Sequence, residues 1–244
     1  PKSIIVVGGS NNVDHLGGSV LKNLIDQGFQ GELSVLNPKR KQVQGLRSYS
    51  SPEEVADVEL AIFAIPAPDI YPVMQILIEQ KGTRAFLVYS AGFSELNEEG
   101  KRLEKDILQL VQESGSSLLG PNNIGMVNTH YAGIFTKPVP KLDPGGVDFV
   151  SGSGATAVFT LEAARQSGLT FNSLITVGNS AQIGIEEVLE HWDETHAEGK
   201  GSQVKMLYME TVRKPRKFLK HCVSLREKGF RIVGLKSGST SKGS

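Results

Sequence analysis

Short apolar runs alternate with stretches of helical period along the first half of the chain. The first run, Ser3 to Val7, leads straight into Gly8-Gly9-Ser10. A helix is predicted from about Gly18 to Gln27 and a second strand over Glu32 to Leu36. A third strand, Glu59 to Ile65, is stopped by Pro66 and Pro68, since proline removes a ladder donor. Ile70 to Lys81 then predicts a helix, Ala85 to Tyr89 a strand, Glu98 to Ser114 a helix and Ser117 to Leu119 a strand. Apolar strands separated by helices are the pattern of a parallel sheet with crossover helices on its faces.

The rhythm breaks over Thr129 to Gly146, where Pro138, Pro140 and Pro144 crowd together and predict a linker or a crossing between domains. It restarts with strands at Val147 to Val150, Ser173 to Val177, Val204 to Met209 and Arg231 to Leu235. The intervening helices are predicted over Ala155 to Gln166, Ile185 to Glu194 and Pro215 to Lys228. The expected division is a first domain over 1–128, a crossing segment over 129–146 and a second domain over 147–244. So few strands make the second domain small for a doubly wound unit, so it is expected to be C-terminally incomplete. The Gly/Ser-rich end, Lys236 to Ser244, is expected to be a loop cut off in mid-domain or a frayed tail.

With 244 residues, 39% hydrophobic and 21% charged, the chain can bury a sizeable core. Lys plus Arg and Asp plus Glu both number 26, which excludes bulk positive charge as a hold on nucleic acid. The single cysteine, Cys222, excludes an intrachain disulfide framework and a cysteine-rich zinc site, and no metal is expected. No apolar run approaches the ~18 residues of a membrane span, and the N-terminus lacks a signal-peptide pattern. A soluble, cytoplasmic protein without nucleic-acid or membrane partners is expected.

Candidate chemistry lies at the strand ends. Gly8 to Asn12, with Gly17 opening the next helix, has the layout of a nucleotide-binding first turn, although the spacing is not G-x-G-x-x-G. An NAD site usually places an acid after the second strand, whereas this chain has Asn37-Pro38-Lys39-Arg40-Lys41. Those cations suit a ligand with an additional phosphate near its ribose, which leaves NADP and coenzyme A both open. Pro66-Ala67-Pro68 stiffens the next turn, with the small Ala67 leaving room for a ligand edge. Ser90-Ala91-Gly92-Phe93 and Gly120-Pro121-Asn122-Asn123 follow later strands on the same carboxyl edge, where open parallel sheets bind ligands. In the second domain, Ser153 and Gly154 of Ser151-Gly152-Ser153-Gly154 can cradle a phosphoryl group at a helix start. The histidines His191, His196 and His221 lie on helices or near their ends and are expected to be solvated.

Taken in order, these stretches resemble the α-subunit or α-domain of nucleoside-diphosphate-forming acyl-CoA synthetases, and more distantly the succinyl-CoA synthetase α-subunit. The resemblance rests on Val6-Val-Gly-Gly-Ser10, Leu16-Gly17, Asn37-Pro38-Lys39, Pro66-Ala-Pro68, Ser90-Ala-Gly-Phe93 and Gly120-Pro-Asn122. It continues through Ser151-Gly-Ser-Gly154, Gly178-Asn179, Leu207-Tyr-Met-Glu210 and Leu235-Lys-Ser-Gly238. It implies an α/β fold, a Rossmann-like CoA-binding domain followed by a flavodoxin-like ligase domain. It also implies that CoA lies against Gly8, Ser10, Gly17, Lys39, Arg40, Pro66, Pro68, Ser90 and Gly92, which favours CoA over NADP.

The implied reaction interconverts acyl-CoA, ADP and phosphate with a carboxylic acid, CoA and ATP, by way of an acyl phosphate and a phosphohistidine. The resemblance assigns Glu210 to orient that histidine, Ser153 and Gly154 to phosphate, and Asn122 to a loop facing them. It implies a β-type ATP-grasp partner that carries the Mg-nucleotide, a short-chain acid or acyl-CoA substrate, and an oligomer. None of His15, His130, His191, His196 or His221 stands in the family's histidine-loop context, and Asn123 and Gly152 depart from its usual residues. A CoA-binding or regulatory module without ligase activity of its own is therefore the alternative, and an NADP-dependent dehydrogenase a more distant one.

Overall fold

The computed structural model describes residues 1–197 and 201–238. The chain end from residue 239 onward, part of the segment expected to be a loop or tail, lies outside the described residues. The first sheet is built from β1 (Ser3–Val7), α1 (Leu16–Asp26), β2 (Glu32–Leu36), β3 (Gln42–Val43), β4 (Leu46–Tyr49), β5 (Leu60–Phe63), α2 (Ile70–Lys81), β6 (Ala85–Val88), α3 (Glu98–Glu113) and β7 (Ser117–Leu119). Its order is β3-β4-β2-β1-β5-β6-β7, parallel throughout except that β3 runs antiparallel to β4. Ile4, Ile5 and Val6 are fully buried, as a central strand covered on both faces requires. Asn97 caps α3 by accepting from Gly100 N at 2.8 Å. The short β3–β4 hairpin was not predicted, because its strands are too brief and polar for a period-2 signal.

The second sheet holds β8 (Gly125–Asn128), β9 (Tyr131–Ile134), β10 (Leu142–Ser151), β11 (Phe171–Thr176), β12 (Val204–Met209) and β13 (Arg231–Lys236), in the order β13-β12-β10-β11-β8-β9. Helices α4 (Gly154–Ser167), α5 (Ile185–Thr195) and α6 (Pro215–Glu227) connect its parallel strands. The segment expected as a crossing, 129–146, instead supplies β9 and the start of β10. Together with β8 it turns an expected four-stranded sheet into a mixed six-stranded one. Pro144 misled the prediction because it sits where β10 shifts register, and a bulge tolerates a proline. No helix among the described residues is long and apolar enough to cross a membrane.

One continuous core joins the two sheets. Ile62, Leu87 and Leu119 of the first pack with Ile175 of the second and with Ile185, Val188 and Trp192 of α5. The β8–β9 hairpin and the residues after it are pinned to the first domain. Asn23 Nδ2 donates to Ile134 O (2.6 Å) and Thr136 O (3.0 Å), Ser19 Oγ to Phe135 O (2.8 Å) and Tyr89 Oη to Gly133 O (2.7 Å).

Two of the histidines expected to be solvated are instead paired. His221 is 3% exposed, with Nδ1 2.8 Å from Asp193 Oδ2 across the α5–α6 contact. His196 Nδ1 lies 2.7 Å from Nζ of Lys205, which is itself fully buried against Asp148 at 2.5 Å. Sequence periodicity could not show that α5 and α6 face one another.

Candidate functional site

The carboxyl edge of the first sheet gathers the loops that sequence reasoning singled out, but the glycines act differently from expectation. Gly8 N is committed to Leu36 O (2.9 Å) and Gly9 N to Val6 O (3.3 Å), so neither N–H is free for a ligand. A side chain at Gly17 or Gly18 would come within 2.2 Å of Gly8 O or 2.0 Å of Asn12 O. These two glycines let α1 begin pressed against the loop. What remains open is the helix start itself. His15, at the N-cap, makes no side-chain bond to the first turn, which carries no acidic residue. Uncapped first-turn N–H groups at the positive end of a helix favour an anion.

The basic turn is fixed beside that opening. Asn37 Nδ2 donates to Gly9 O (2.9 Å), while Asn37 Oδ1 accepts from Lys39 N (2.9 Å). Lys39, Arg40 and Lys41 are exposed. Ser10 Oγ accepts from Asn12 N at 3.0 Å and shapes the loop. Pro66 precedes a single 3-10 turn, Ala67–Asp69, that contains Pro68. Ala67 does not leave the expected opening, since its side chain is buried in the core. Ser90 Oγ donates to Ile65 O (2.5 Å), which ties the Ser90 loop to the proline turn instead of presenting a free hydroxyl. Gly92, at φ +106°, gives its N–H to Glu95 Oε1 (2.6 Å).

The second gathering lies between the domains. Ser153 caps α4 by accepting from Thr156 N (3.3 Å), which uses an oxygen lone pair and leaves its O–H able to donate. A side chain at Gly154 would meet Ile124 Cγ2 at 2.8 Å, so glycine lets the Asn122 loop lie directly on the α4 start. Asn122 itself adopts φ +56°, and its Nδ2 reaches Asn179 Oδ1 at 3.3 Å. A cleft of about 200 Å³ opens alongside, lined by Gly152, Asn179, Glu210 and Arg213 among others. Glu210, one residue past β12, is exposed in this cleft.

Several contacts in this cleft could not be read from the sequence. Asn179 Nδ2 donates to Glu95 Oε2 (2.5 Å) and Glu104 Oε2 (2.8 Å), which stitches the two domains together. Burial works to raise the Glu95 pKa, but hydrogen bonds from Asn179 and from the Gly92 and Phe93 N–H groups outweigh it and hold the carboxyl below its usual range. Arg213 donates to Ser180 O (3.1 Å) and Asn179 O (2.9 Å). Glu186, 3% exposed, accepts from Lys214 N at 2.8 Å. The motif Gly178-Asn179 pointed at the right loop, but partners 75 and 84 residues away were invisible. No cluster of metal-binding side chains occurs among the described residues.

Two family models match the chain in succession: a CoA binding domain over residues 2–129 and a succinyl-CoA ligase like flavodoxin domain over 144–244. The α-subunit of acetate–CoA ligase (ADP-forming) II from Pyrococcus furiosus is 32% identical over 248 residues, covering 100% of this chain and 52% of the relative. The 4-hydroxybutyrate–CoA ligase (ADP-forming) of Nitrosopumilus maritimus is 29% identical, covering 100% of this chain and 34% of that protein. Among solved structures, the dinucleotide-forming acetyl-coenzyme A synthetase 1 of Candidatus Korarchaeum cryptofilum superposes with a TM-score of 0.88 at 26% identity, over 100% of this chain and 52% of that one. The chain thus spans about half the length, or less, of the relatives it matches. It belongs to the CoA-binding-domain family, in the two-domain arrangement of nucleoside-diphosphate-forming acyl-CoA synthetase α-subunits.

Proposed function

We propose that the chain is the α-type half of a nucleoside-diphosphate-forming acyl-CoA synthetase, an acid–thiol ligase. Coenzyme A, when bound, supplies the thiol that carries the acyl group. The residues present fit it. The α1 start is uncapped and free of acidic side chains, and the exposed Lys39–Lys41 turn is pinned beside it through Asn37. In this reading the α1 first turn and the Ser10 loop hold the diphosphate, and Lys39 and Arg40 meet the 3′-phosphate. The Pro66–Pro68 turn and the Ser90–Gly92 loop, joined by the Ser90 hydrogen bond, form a stiff wall.

The α4 start takes inorganic phosphate through the N–H groups of Gly154 and Ala155, which helix geometry leaves without intrahelical acceptors. Ser153 caps Thr156 through an oxygen lone pair and gives its O–H to the phosphate. Glu210 orients a histidine that these 244 residues do not supply, by accepting from one ring nitrogen and leaving the other nucleophilic. The Mg-nucleotide resides on a β-type ATP-grasp partner. Relatives are named for acetate, 4-hydroxybutyrate and trans-feruloyl-CoA, so a carboxylic acid is the substrate class.

The observation that carries this reading is the approach of Ile124 to Gly154, which sets the Asn122 loop and the α4 start together beside Glu210. The test is expression with its genomic neighbours and assay of acid- and CoA-dependent ADP formation. Turnover is expected only with a grasp-fold partner present, and Glu210→Gln is expected to slow phosphohistidine formation while leaving CoA binding intact. CoA binding without turnover in any such combination would instead identify a CoA-binding module.

A further inference from the structure

The β3–β4 hairpin turns on Gln44 and Gly45, at φ +49° and +81°. Two positive φ values in a two-residue loop define the type that favours Asn or Gly at its first position. Glutamine there is locally unfavourable, and its side-chain oxygen is buried without a partner. Strain of this kind persists where the surroundings over-determine it, and it often marks function.

The surroundings are the glycine loop. Gln44 Nε2 donates to Ser10 O and to Gly18 O, each at 2.8 Å, and Gln44 N donates to Asn11 Oδ1 at 2.6 Å. One amide thus joins the loop after β1 to the first turn of α1. It fixes the Ser10 loop against the α1 start, where the first-turn N–H groups remain uncapped. The hairpin follows directly on the Lys39–Lys41 turn, so the same short segment carries cations at its start and the clamp at its tip.

We propose that Gln44 is a positioning residue for the diphosphate of coenzyme A: its amide locks the Ser10 loop against the first turn of α1, and so holds the uncapped first-turn N–H groups in place for the ligand. The inference rests on the CoA-binding reading above. It separates two parts of the ligand: Gln44 acts on the diphosphate through the loop, and Lys39 and Arg40 act on the 3′-phosphate.

The experiment is titration of the intact chain, together with its partner if one co-purifies, with CoA and dephospho-CoA by calorimetry. Gln44→Met keeps the length and removes the donors. Gln44→Glu keeps the shape, removes the donors and adds a charge. Gln44→Met is expected to weaken CoA and dephospho-CoA equally, by about tenfold, and Gln44→Glu by more. The double variant Lys39→Ala/Arg40→Ala is expected to weaken CoA while leaving dephospho-CoA unchanged. Gln44→Gly, which relieves the turn strain but also lacks the amide, controls for folding. It is expected to match or exceed the wild-type melting temperature and still bind as weakly as Gln44→Met. Wild-type affinity in Gln44→Met or Gln44→Gly overturns the inference, as does a loss confined to CoA over dephospho-CoA. Absence of CoA binding by the wild-type protein would instead overturn the underlying reading.

Discussion

At the scale of single residues, buried polar groups carry more consequence than the conspicuous motifs. Lys205 and Asp148 are both fully buried and paired at 2.5 Å, with the Lys205 ammonium also 4.5 Å from the Phe230 ring centre. Removing one partner strands a buried charge, so Lys205→Met is expected to cost about 3–5 kcal/mol in chemical denaturation. His196 shares this site. Burial and the neighbouring Lys205 hold its pKa below the ordinary 6.5, outweighing Asp148. The unfolded chain therefore takes up this proton first as pH falls. The stabilising contribution is complete above about pH 6.5 and is lost progressively below it. Denaturation free energy is expected to fall over the first ~1 unit below pH 6.5, with a shallower slope in His196→Gln; an identical slope in that variant would remove the assignment. Glu187 and Asp193, each drawn down to about 2 despite burial by bonds from lysines and other donors, act only at more acidic pH.

At the scale of elements, the repeating parts of the fold were legible and the exceptional parts were not. Strands β1, β2 and β12 fall where the apolar runs predict, and each helix lies within a few residues of its period. The β8–β9 hairpin was missed because Gly125, Gly133 and the neighbouring prolines resemble a linker in sequence. Its place is set instead by bonds made far along the chain. Thr176 shows the dependence. Its Oγ1 accepts from Ile124 N and Gly125 N, both at 3.1 Å, and donates to Gly125 O at 2.8 Å. Thr176→Val preserves shape but orphans two buried N–H groups, so a loss of about 2–4 kcal/mol is expected from thermal or urea unfolding. Ser153→Ala, which removes the α4 cap, is expected to cost about 1 kcal/mol. The candidate site followed the same rule. Loops at strand ends were found from glycine and charge, whereas Gln44, Asn179 and Arg213 owe their roles to neighbours that only folding supplies.

At the scale of the molecule, two sheets share one core and gather their strand-end loops at two separate places. The first sheet offers an uncapped helix start beside three exposed cations. The second offers the α4 start, with the Asn122 loop between β7 and β8 lying on it and Glu210 nearby. Asn179 bonds across to Glu95 and Glu104, and Arg213 braces the Asn179 loop, so hydrogen bonds tie the two sets of loops together. The most direct test of the account is a crystal structure of the chain grown with coenzyme A. Density for the ligand is expected along the carboxyl edge of the first sheet, with its diphosphate at the α1 start and its 3′-phosphate against Lys39 or Arg40. Density at the opposite edge, or none under saturating ligand, would contradict it.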